Sequence, residues 1–202
     1  MMNWQPIETE ELETLLKSVE SKGMPGLFSS ASSKAQKSVL PFYDGYVLYD
    51  LKNYSTLPVF AMQYLGNGKD FNYLDGSPDP VYMVNENTPA LVLSEENIFD
   101  YVRFFFTYVS TLDEETEMIQ DPENSPYFPY LSENQKQVIS NEKAASNVQF
   151  NDQTQLYSIL TPLYYEGSLV KALIEIDQMG HVKVKNYKML FGMEGETQNA
   201  AL

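Results

Sequence analysis

Residues 156–190 read LYSILTPLYYEGSLVKALIEIDQMGHVKVKNYKML, with three apolar, β-branched and aromatic stretches separated by short breaks. The stretches are Leu156–Tyr165, Ser168–Asp177 and Val182–Leu190, and the breaks contain Glu166-Gly167 and Met179-Gly180. Short glycine-containing breaks between such stretches are typical of neighbouring antiparallel strands. The segment therefore predicts a three-stranded antiparallel meander over about 155–190.

The last strand of this meander has a second pattern. Val182 and Val184 alternate with Lys183 and Lys185. Because successive side chains of a strand point to opposite faces, one face is apolar and the other charged. This pattern predicts a half-exposed strand or the edge strand of a sheet.

The region from about 43 to 93 also has β character. Its apolar and aromatic stretches predict strands over Tyr43–Leu51, Leu57–Leu65, Val81–Val84 and Ala90–Leu93. Gly66-Asn67-Gly68 predicts a hairpin turn after the second of these strands. Asp75–Pro80 predicts another turn, because its two prolines fix φ and cannot donate to a strand ladder.

Two helices are predicted to pack against the strands. The first, over about 10–22, has one apolar face at helical spacing, made of Leu12, Leu15, Leu16 and Val19. The second, over about 95–112, follows Ser94 as predicted N-cap and is apolar nearly all round. Such a helix is either central to a core or part of an interface.

Two further segments are predicted from their polar composition. Ser132 and Gln135 have capping-box spacing, which predicts a short polar helix over about 133–145. Residues 29–38 are small and polar without periodicity, which predicts a loop.

These elements together predict an α+β fold. Its antiparallel sheet would contain strands over about 43–93 plus the meander over about 155–190, packed with the helices over about 10–22 and 95–112. A chain of 202 residues suits one domain, 1–202. A sub-boundary near 113–147 would separate the meander from the rest.

The formal net charge of −15 is concentrated in the middle of the chain. From Asp70 to Glu133 there are fourteen acidic side chains and one basic side chain, Arg103, the only arginine. This charge disfavours binding to nucleic acid and to anionic membranes, which depends on lysine and arginine. No signal peptide and no apolar run of about 20 residues is visible, so we expect a cytoplasmic protein.

Several chemistries are excluded by residue type. Cysteine is absent and His181 is the only histidine, so thiolate nucleophiles and zinc sites with several histidines cannot form. Gly66-Asn67-Gly68-Lys69 lacks the upstream glycine of a P-loop, and Met118 stands where an EF-hand loop requires glycine. We therefore predict no catalytic residue, no metal site and no cofactor.

The best predicted recognition region is an acidic stretch followed by a proline-rich aromatic loop. Its candidate partner-binding residues are Asp113, Glu114, Glu115, Glu117, Tyr127, Phe128 and Tyr130. The aromatic side chains would either cover their own domain as a lid or form a hot spot rimmed by acids.

Arg103 is the candidate ligand-binding residue. It lies three residues after Asp100 and one turn after Phe99, which predicts a local ion pair and a cation–π contact. The functional alternative is a guanidinium that clamps the carboxylate or phosphate of a ligand.

Two classes of function follow. The first is a non-enzymatic acidic protein-binding module of the inhibitor, immunity, chaperone or adaptor type, with a basic protein as partner. The alternative is a small-molecule-binding protein or modest enzyme with a tyrosine-lined pocket between sheet and helix. A third arrangement joins the lysine-bearing last strand to the acidic middle, within one molecule or across a homodimer.

Overall fold

The computed structural model describes residues 2–22, 26–109, 116–119, 128–165 and 168–192. These residues form two antiparallel five-stranded sheets and four α-helices, which confirms the predicted α+β fold. The chain divides into two compact units, residues 1–92 and residues 93–202. Each unit contains one of the sheets and is described by itself. The single domain expected from chain length stays a prediction.

The first unit has its five strands in sequence order, β1-β2-β3-β4-β5. The strands are β1 Gln5–Pro6, β2 Ser33–Val39, β3 Val47–Asn53, β4 Phe60–Gly66 and β5 Phe71–Tyr73. Its helices are α1 Thr9–Ser21 and α2 Asp79–Asn87. A strand order equal to the sequence order means that each strand pairs with its neighbour in the chain.

Helix α1 covers one face of the first sheet, as its apolar stripe predicts. Its buried residues Leu15, Leu16 and Val19 belong to the same core cluster as sheet residues. The sheet side of that cluster includes Ala35, Tyr49, Leu51, Met62, Tyr64 and Phe71. Beside this core, the Glu11 carboxylate of α1 accepts hydrogen bonds from Lys37 Nζ at 2.7 Å and Tyr49 Oη at 2.7 Å.

Strand β2 corrects the loop predicted over residues 29–38. All seven of its residues pair with β3 in regular antiparallel register, from Ser33 opposite Asn53 to Val39 opposite Val47. Ser33 and Ala35 are buried and Lys34 is exposed, so the alternation of a strand is present in small and polar residues. The backbone pairing with β3, rather than side-chain hydrophobicity, makes this segment a strand.

Helix α2 corrects the strand predicted over Val81–Val84. Val81 and Val84, three residues apart, are both buried, as two residues on one helix face should be. Proline at the first turn suits a helix start, because the missing N–H would have no partner there. The strand predicted over Ala90–Leu93 is reduced to a single bridge, between Tyr43 and Leu91.

The second unit contains the predicted meander as strands β8, β9 and β10. Its elements are α3 Ile98–Tyr108, β6 Thr116–Met118, α4 Glu133–Ala144, β7 Asn147–Asn151, β8 Leu156–Tyr165, β9 Ser168–Asp177 and β10 Val182–Gly192. The strand order is β10-β9-β8-β6, and β7 also pairs with β8. Strands β6 and β7 lie along the same β8 edge, because they pair with Leu163–Tyr165 and Leu156–Leu160 respectively.

The two helices of the second unit are positioned by core side chains. In α3, five residues are buried, and the Tyr101 hydroxyl donates to the Gly180 carbonyl at 2.6 Å. Helix α3 begins at Ile98 after Asn97, later than the Ser94 cap predicts. In α4, Ile139 packs in a cluster with Tyr164, Leu169 and Phe191.

Strand β10 lies at one edge of the second sheet. No strand of the described chain pairs with its outer side. Its register with β9 shifts twice, between Val184 and Asn186 and between Met189 and Phe191. The strand also contains Lys183, Lys185 and Lys188.

Candidate functional site

The predicted partner-binding residues fall into two groups. Asp113, Glu114, Glu115 and Tyr127 lie outside the described residues. Glu117 lies in β6, and Phe128 and Tyr130 lie in a 3-10 turn that precedes α4. We call the turn Phe128–Tyr130 the aromatic turn.

The aromatic turn presents Tyr130 to solvent, where 86% of its surface is accessible. Its neighbours are held in place. The Phe128 ring lies 5.3 Å from Lys136 Nζ, and Leu131 packs against the core cluster that contains Ile139. Tyr130 itself therefore does not cover the core, whereas Tyr127 lies outside the described residues.

The helix that follows the aromatic turn fixes its position further. Ser132 forms the predicted capping box with Gln135, each side chain bonding the backbone of the other residue. Glu133, with its side chain 91% exposed, pairs with Lys136 at 2.8 Å. The described part of this region therefore combines an exposed phenol, an exposed carboxylate and a capped helix.

Arg103 forms the local ion pair that its spacing predicts. Its Nη2 donates to Asp100 Oδ1 on the same helix. Arg103 also lines a cleft of about 340 Å³ between α3 and β6. The other described residues that line this cleft are Phe106, Thr107, Thr116, Glu117 and Met118.

The cleft brings together Arg103 and Glu117, two of the predicted site residues. Burial raises the pKa of the Glu117 carboxyl. Within the described residues no hydrogen bond or ion pair to that carboxylate forms. Phe106, and no described tyrosine, supplies the aromatic side chain of the cleft.

A second surface, in the first unit, was not predicted as a site. Eight consecutive residues, 54–61, are exposed in the connection between β3 and β4 and in the first two residues of β4. Leu57 is 97% exposed, and Tyr54, Val59 and Phe60 of the same segment are exposed as well, as is Leu27, whose carbonyl is bonded to Asn53. We call these five exposed residues the apolar tip.

Contacts between two loops hold the apolar tip together. The Asn53 side chain donates to the Leu27 carbonyl at 2.7 Å and accepts from the Ser55 N–H at 2.8 Å. The Phe60 ring lies 5.6 Å from the ring of Phe28, which is buried. The tip is therefore connected to the core of the first unit.

The charge around the apolar tip differs from that of the whole chain. Residues 27–34 and 51–61, which contain the tip and the strand ends next to it, include two lysines, Lys34 and Lys52, and no acid. Lys34 and Lys52 lie opposite each other in the β2–β3 register, next to the tip. Asp50, the nearest acid on β3, is buried and pairs with Lys52 at 2.8 Å. Asp44 and Asp70 lie beyond the other end of the strands, roughly 20 Å away at strand spacing.

Three residues of the apolar tip, Leu57, Val59 and Phe60, fall within a predicted strand, which is why the sequence does not indicate this surface. The sequence predicts a strand over Leu57–Leu65, whereas β4 begins at Phe60. Pro58 could have indicated the difference, because proline cannot donate to a strand ladder and is rare inside sheets. Asn53 and Ser55 also favour a turn before it.

His181, the only histidine of the sequence, lies beside an acid. His181 Nδ1 lies 2.8 Å from Asp177 Oδ2 beside the β9–β10 turn, where both side chains are exposed to solvent. The described residues contain no group of three or more histidine and acidic side chains that could hold a metal ion. Among the described helices, none has the length and apolar character needed to cross a membrane.

Comparison with protein-family models finds no match for this chain, and comparison with curated proteins and with solved structures finds none either.

Proposed function

We propose that this protein is a non-enzymatic protein-binding module that recognises a basic partner through the aromatic turn and the acids around it. The observation that carries the proposal is the exposed phenol of Tyr130 on an anchored turn. Tyrosine is enriched among the residues that dominate binding energy at protein interfaces. Because the turn is fixed before binding, little conformational entropy would be lost there on association.

The acidic stretch supports the charge of the partner. Six acids and no base lie between Asp113 and Glu123, a few residues before the aromatic turn. Charges of one sign at the rim of an interface mainly raise the rate of association with an oppositely charged protein. The Debye length is about 8 Å at physiological ionic strength, so added salt should weaken this effect.

The test is a pull-down from native lysate followed by titration of the purified partner. Tyr130→Ala should lower affinity by about tenfold or more, as expected for a central aromatic residue. Tyr187→Ala is the matched control, because Tyr187 is also an exposed tyrosine of the second unit. If both variants bind like the wild type, the aromatic turn is not the recognition surface.

The charge component is tested by neutralising Asp113, Glu114 and Glu115 together to asparagine and glutamine. The association rate should fall, and its dependence on salt should become weaker, while the dissociation rate changes little. Glu117 is left unchanged because it is only partly exposed. An unchanged association rate would mean that these acids serve solubility alone.

The cleft that Arg103 lines favours a second candidate function, binding of a small anionic molecule. Its volume of about 340 Å³ lies at the lower end of the range for ligand pockets. Thr116 could add a hydrogen bond, and Phe106 an apolar wall. A thermal-shift screen with phosphate, acetate and benzoate, repeated on Arg103→Met, tests it. Stabilisation in the wild type that disappears in the variant is the expected result, and no stabilisation by any of the three anions opposes it.

A further inference from the structure

We propose that the apolar tip of the first unit is a docking surface of its own, which inserts as a convex knob into a concave apolar pocket of a partner protein whose rim carries carboxylates. This goes beyond the proposed function, because the tip and the aromatic turn belong to different units and differ in chemistry.

The exposure of the tip is the first observation. Single exposed apolar residues are normal on protein surfaces, whereas clusters of them mark interaction sites. Val39, at the opposite end of the sheet from the tip, is 73% exposed, but its chain neighbours Ser38 and Leu40 are buried. Leu57 is 97% exposed and stands among four other exposed apolar side chains.

The shape of the tip indicates the shape of its partner. Eight consecutive exposed residues at the end of a hairpin make a convex surface. A convex apolar surface buries most area inside a concave one. The bonds from Asn53 to Leu27 and Ser55 hold the knob before binding, which lowers the entropy lost on association.

The charge of the tip indicates the rim of the pocket. Lys34 is exposed and its ammonium group has no ion pair within the described residues. Lys52, which lies opposite Lys34, is already paired with the buried Asp50. Carboxylates of a partner would pair with the ammonium group of Lys34, and no acid of residues 51–69 would repel them.

Two other occupants fit these observations less well. A second copy docked tip to tip would place two convex surfaces together, and two convex surfaces bury little area against each other. An anionic bilayer is recognised by clusters of about 4–8 basic residues, and the tip has only Lys34 and Lys52 beside it.

The experiment places benzoyl-phenylalanine, a photo-cross-linking amino acid, at position 57 of the full chain and, as the control, at position 39. After irradiation in native lysate, cross-linked proteins are identified by mass spectrometry. The protein specific to position 57 is then purified and titrated with the wild type, Leu57→Ser and Val39→Ser. We expect Leu57→Ser to lose about tenfold or more in affinity and Val39→Ser to bind like the wild type.

Three outcomes would overturn the proposal. The first is cross-linking at position 57 no stronger than at position 39, or equal affinity of Leu57→Ser and the wild type. The second is binding of the wild type, but not of Leu57→Ser, to vesicles of phosphatidylcholine with or without phosphatidylserine. The third is a dimer in sedimentation velocity that Leu57→Ser abolishes. Because Leu57 is almost fully exposed, its substitution should leave the fold intact, which circular dichroism verifies.

A fourth variant separates this proposal from the proposed function. Tyr130→Ala should leave the affinity of the position-57 partner unchanged, since Tyr130 belongs to the other unit. An equal loss in Tyr130→Ala and Leu57→Ser would mean that the tip is not a docking surface of its own.

Discussion

Glu11 in the first unit and Glu117 in the second are both partly buried glutamates, yet their pKa values shift in opposite directions. Burial by itself raises the pKa of Glu11, but hydrogen bonds from Lys37 and Tyr49 together with the charge of Lys37 bring it below its ordinary value. Burial raises the pKa of Glu117, with no compensating partner among the described residues. The difference shows that burial alone does not decide whether a carboxylate stabilises a fold.

Glu11 and Glu117 differ in role: Glu11 is a structural acid, and Glu117 is a candidate functional acid. The Glu11 carboxylate connects α1 to β2 and β3 through Lys37 and Tyr49, so it stabilises the first unit. The Glu117 carboxylate contributes no such bond, and its burial has a free-energy cost. A carboxylate retained at such a cost is a better candidate for a binding role than one used in the fold.

The largest expected effect is the loss of the Glu11 carboxylate. Glu11→Ala removes the hydrogen bonds from Lys37 and Tyr49 and leaves the buried Tyr49 hydroxyl without its acceptor, so we expect a loss of about 2 kcal/mol in the free energy of unfolding. The single tryptophan, Trp4, belongs to the first unit, so its fluorescence in a urea titration measures this loss. Glu13→Ala on the exposed side of α1 is the matched control and should change stability far less.

The same carboxylate makes the stability of the first unit depend on pH. Because the folded pKa of Glu11 lies below its ordinary value of 4.5, its contribution is complete above pH 4.5. The contribution is lost as pH falls through 4.5 and on through the folded pKa. The stability difference between the wild type and Glu11→Ala should therefore shrink between pH 6 and about pH 3. A difference that stays constant over this range would contradict the assignment.

A smaller loss of stability is expected from removal of the Tyr49 hydroxyl, which donates a hydrogen bond to Glu11. Tyr49→Phe keeps the buried ring and the Lys37–Glu11 ion pair but removes one hydrogen bond, which should cost about 1 kcal/mol. In the double variant with Glu11→Ala, the two losses should not add, because both remove the same hydrogen bond. Additive losses would mean that Tyr49 and Glu11 act independently.

The smallest effect has the opposite sign. Glu117→Gln removes a charge that burial disfavours, so the second unit should become more stable at neutral pH, by less than about 1 kcal/mol because solvent screens the partly exposed group. The gain should disappear as pH falls through the raised folded pKa and below 4.5, where the carboxyl is protonated in both states. Hydrogen exchange of the β8 amides near Tyr164 measures this change in stability, because Tyr164 pairs with Glu117 in the sheet.

The control for Glu117→Gln is Glu96→Gln. Because Glu96 is an exposed acid of the same unit, this substitution should change exchange rates little. A loss of protection in Glu117→Gln at neutral pH would mean that the carboxylate stabilises the second unit, and the contrast with Glu11 would fail.

A helix or strand is predicted best from the sequence where the side chains of that element alone determine its structure. The meander over about 155–190 has regular alternation and clear breaks, and its observed strands agree with the predicted bounds except that β10 continues to Gly192. Helices α1 and α4 were likewise predicted from an apolar stripe and a capping box.

The predictions fail where tertiary contacts determine the secondary structure or the exposure of a residue. Strand β2 has little apolar character of its own and depends on pairing with β3. Helix α2 contains short branched residues that favour strands, and the position of Pro80 near its start outweighs them. Among the site residues, Tyr130 was predicted, but its exposure depends on how Phe128 and Leu131 are anchored. The exposure of Leu57 depends on where β4 begins.

The irregular edge strand β10 has a consequence for the behaviour of this protein at high concentration. A flat strand of 11 residues with an unpaired edge would be a template on which further chains could add as cross-β layers. The two register shifts interrupt the row of backbone donors and acceptors, and parallel, in-register stacking would bring Lys183, Lys185 and Lys188 of each chain next to the same lysines of the next. Both features would oppose extension of the sheet into a fibril at this edge.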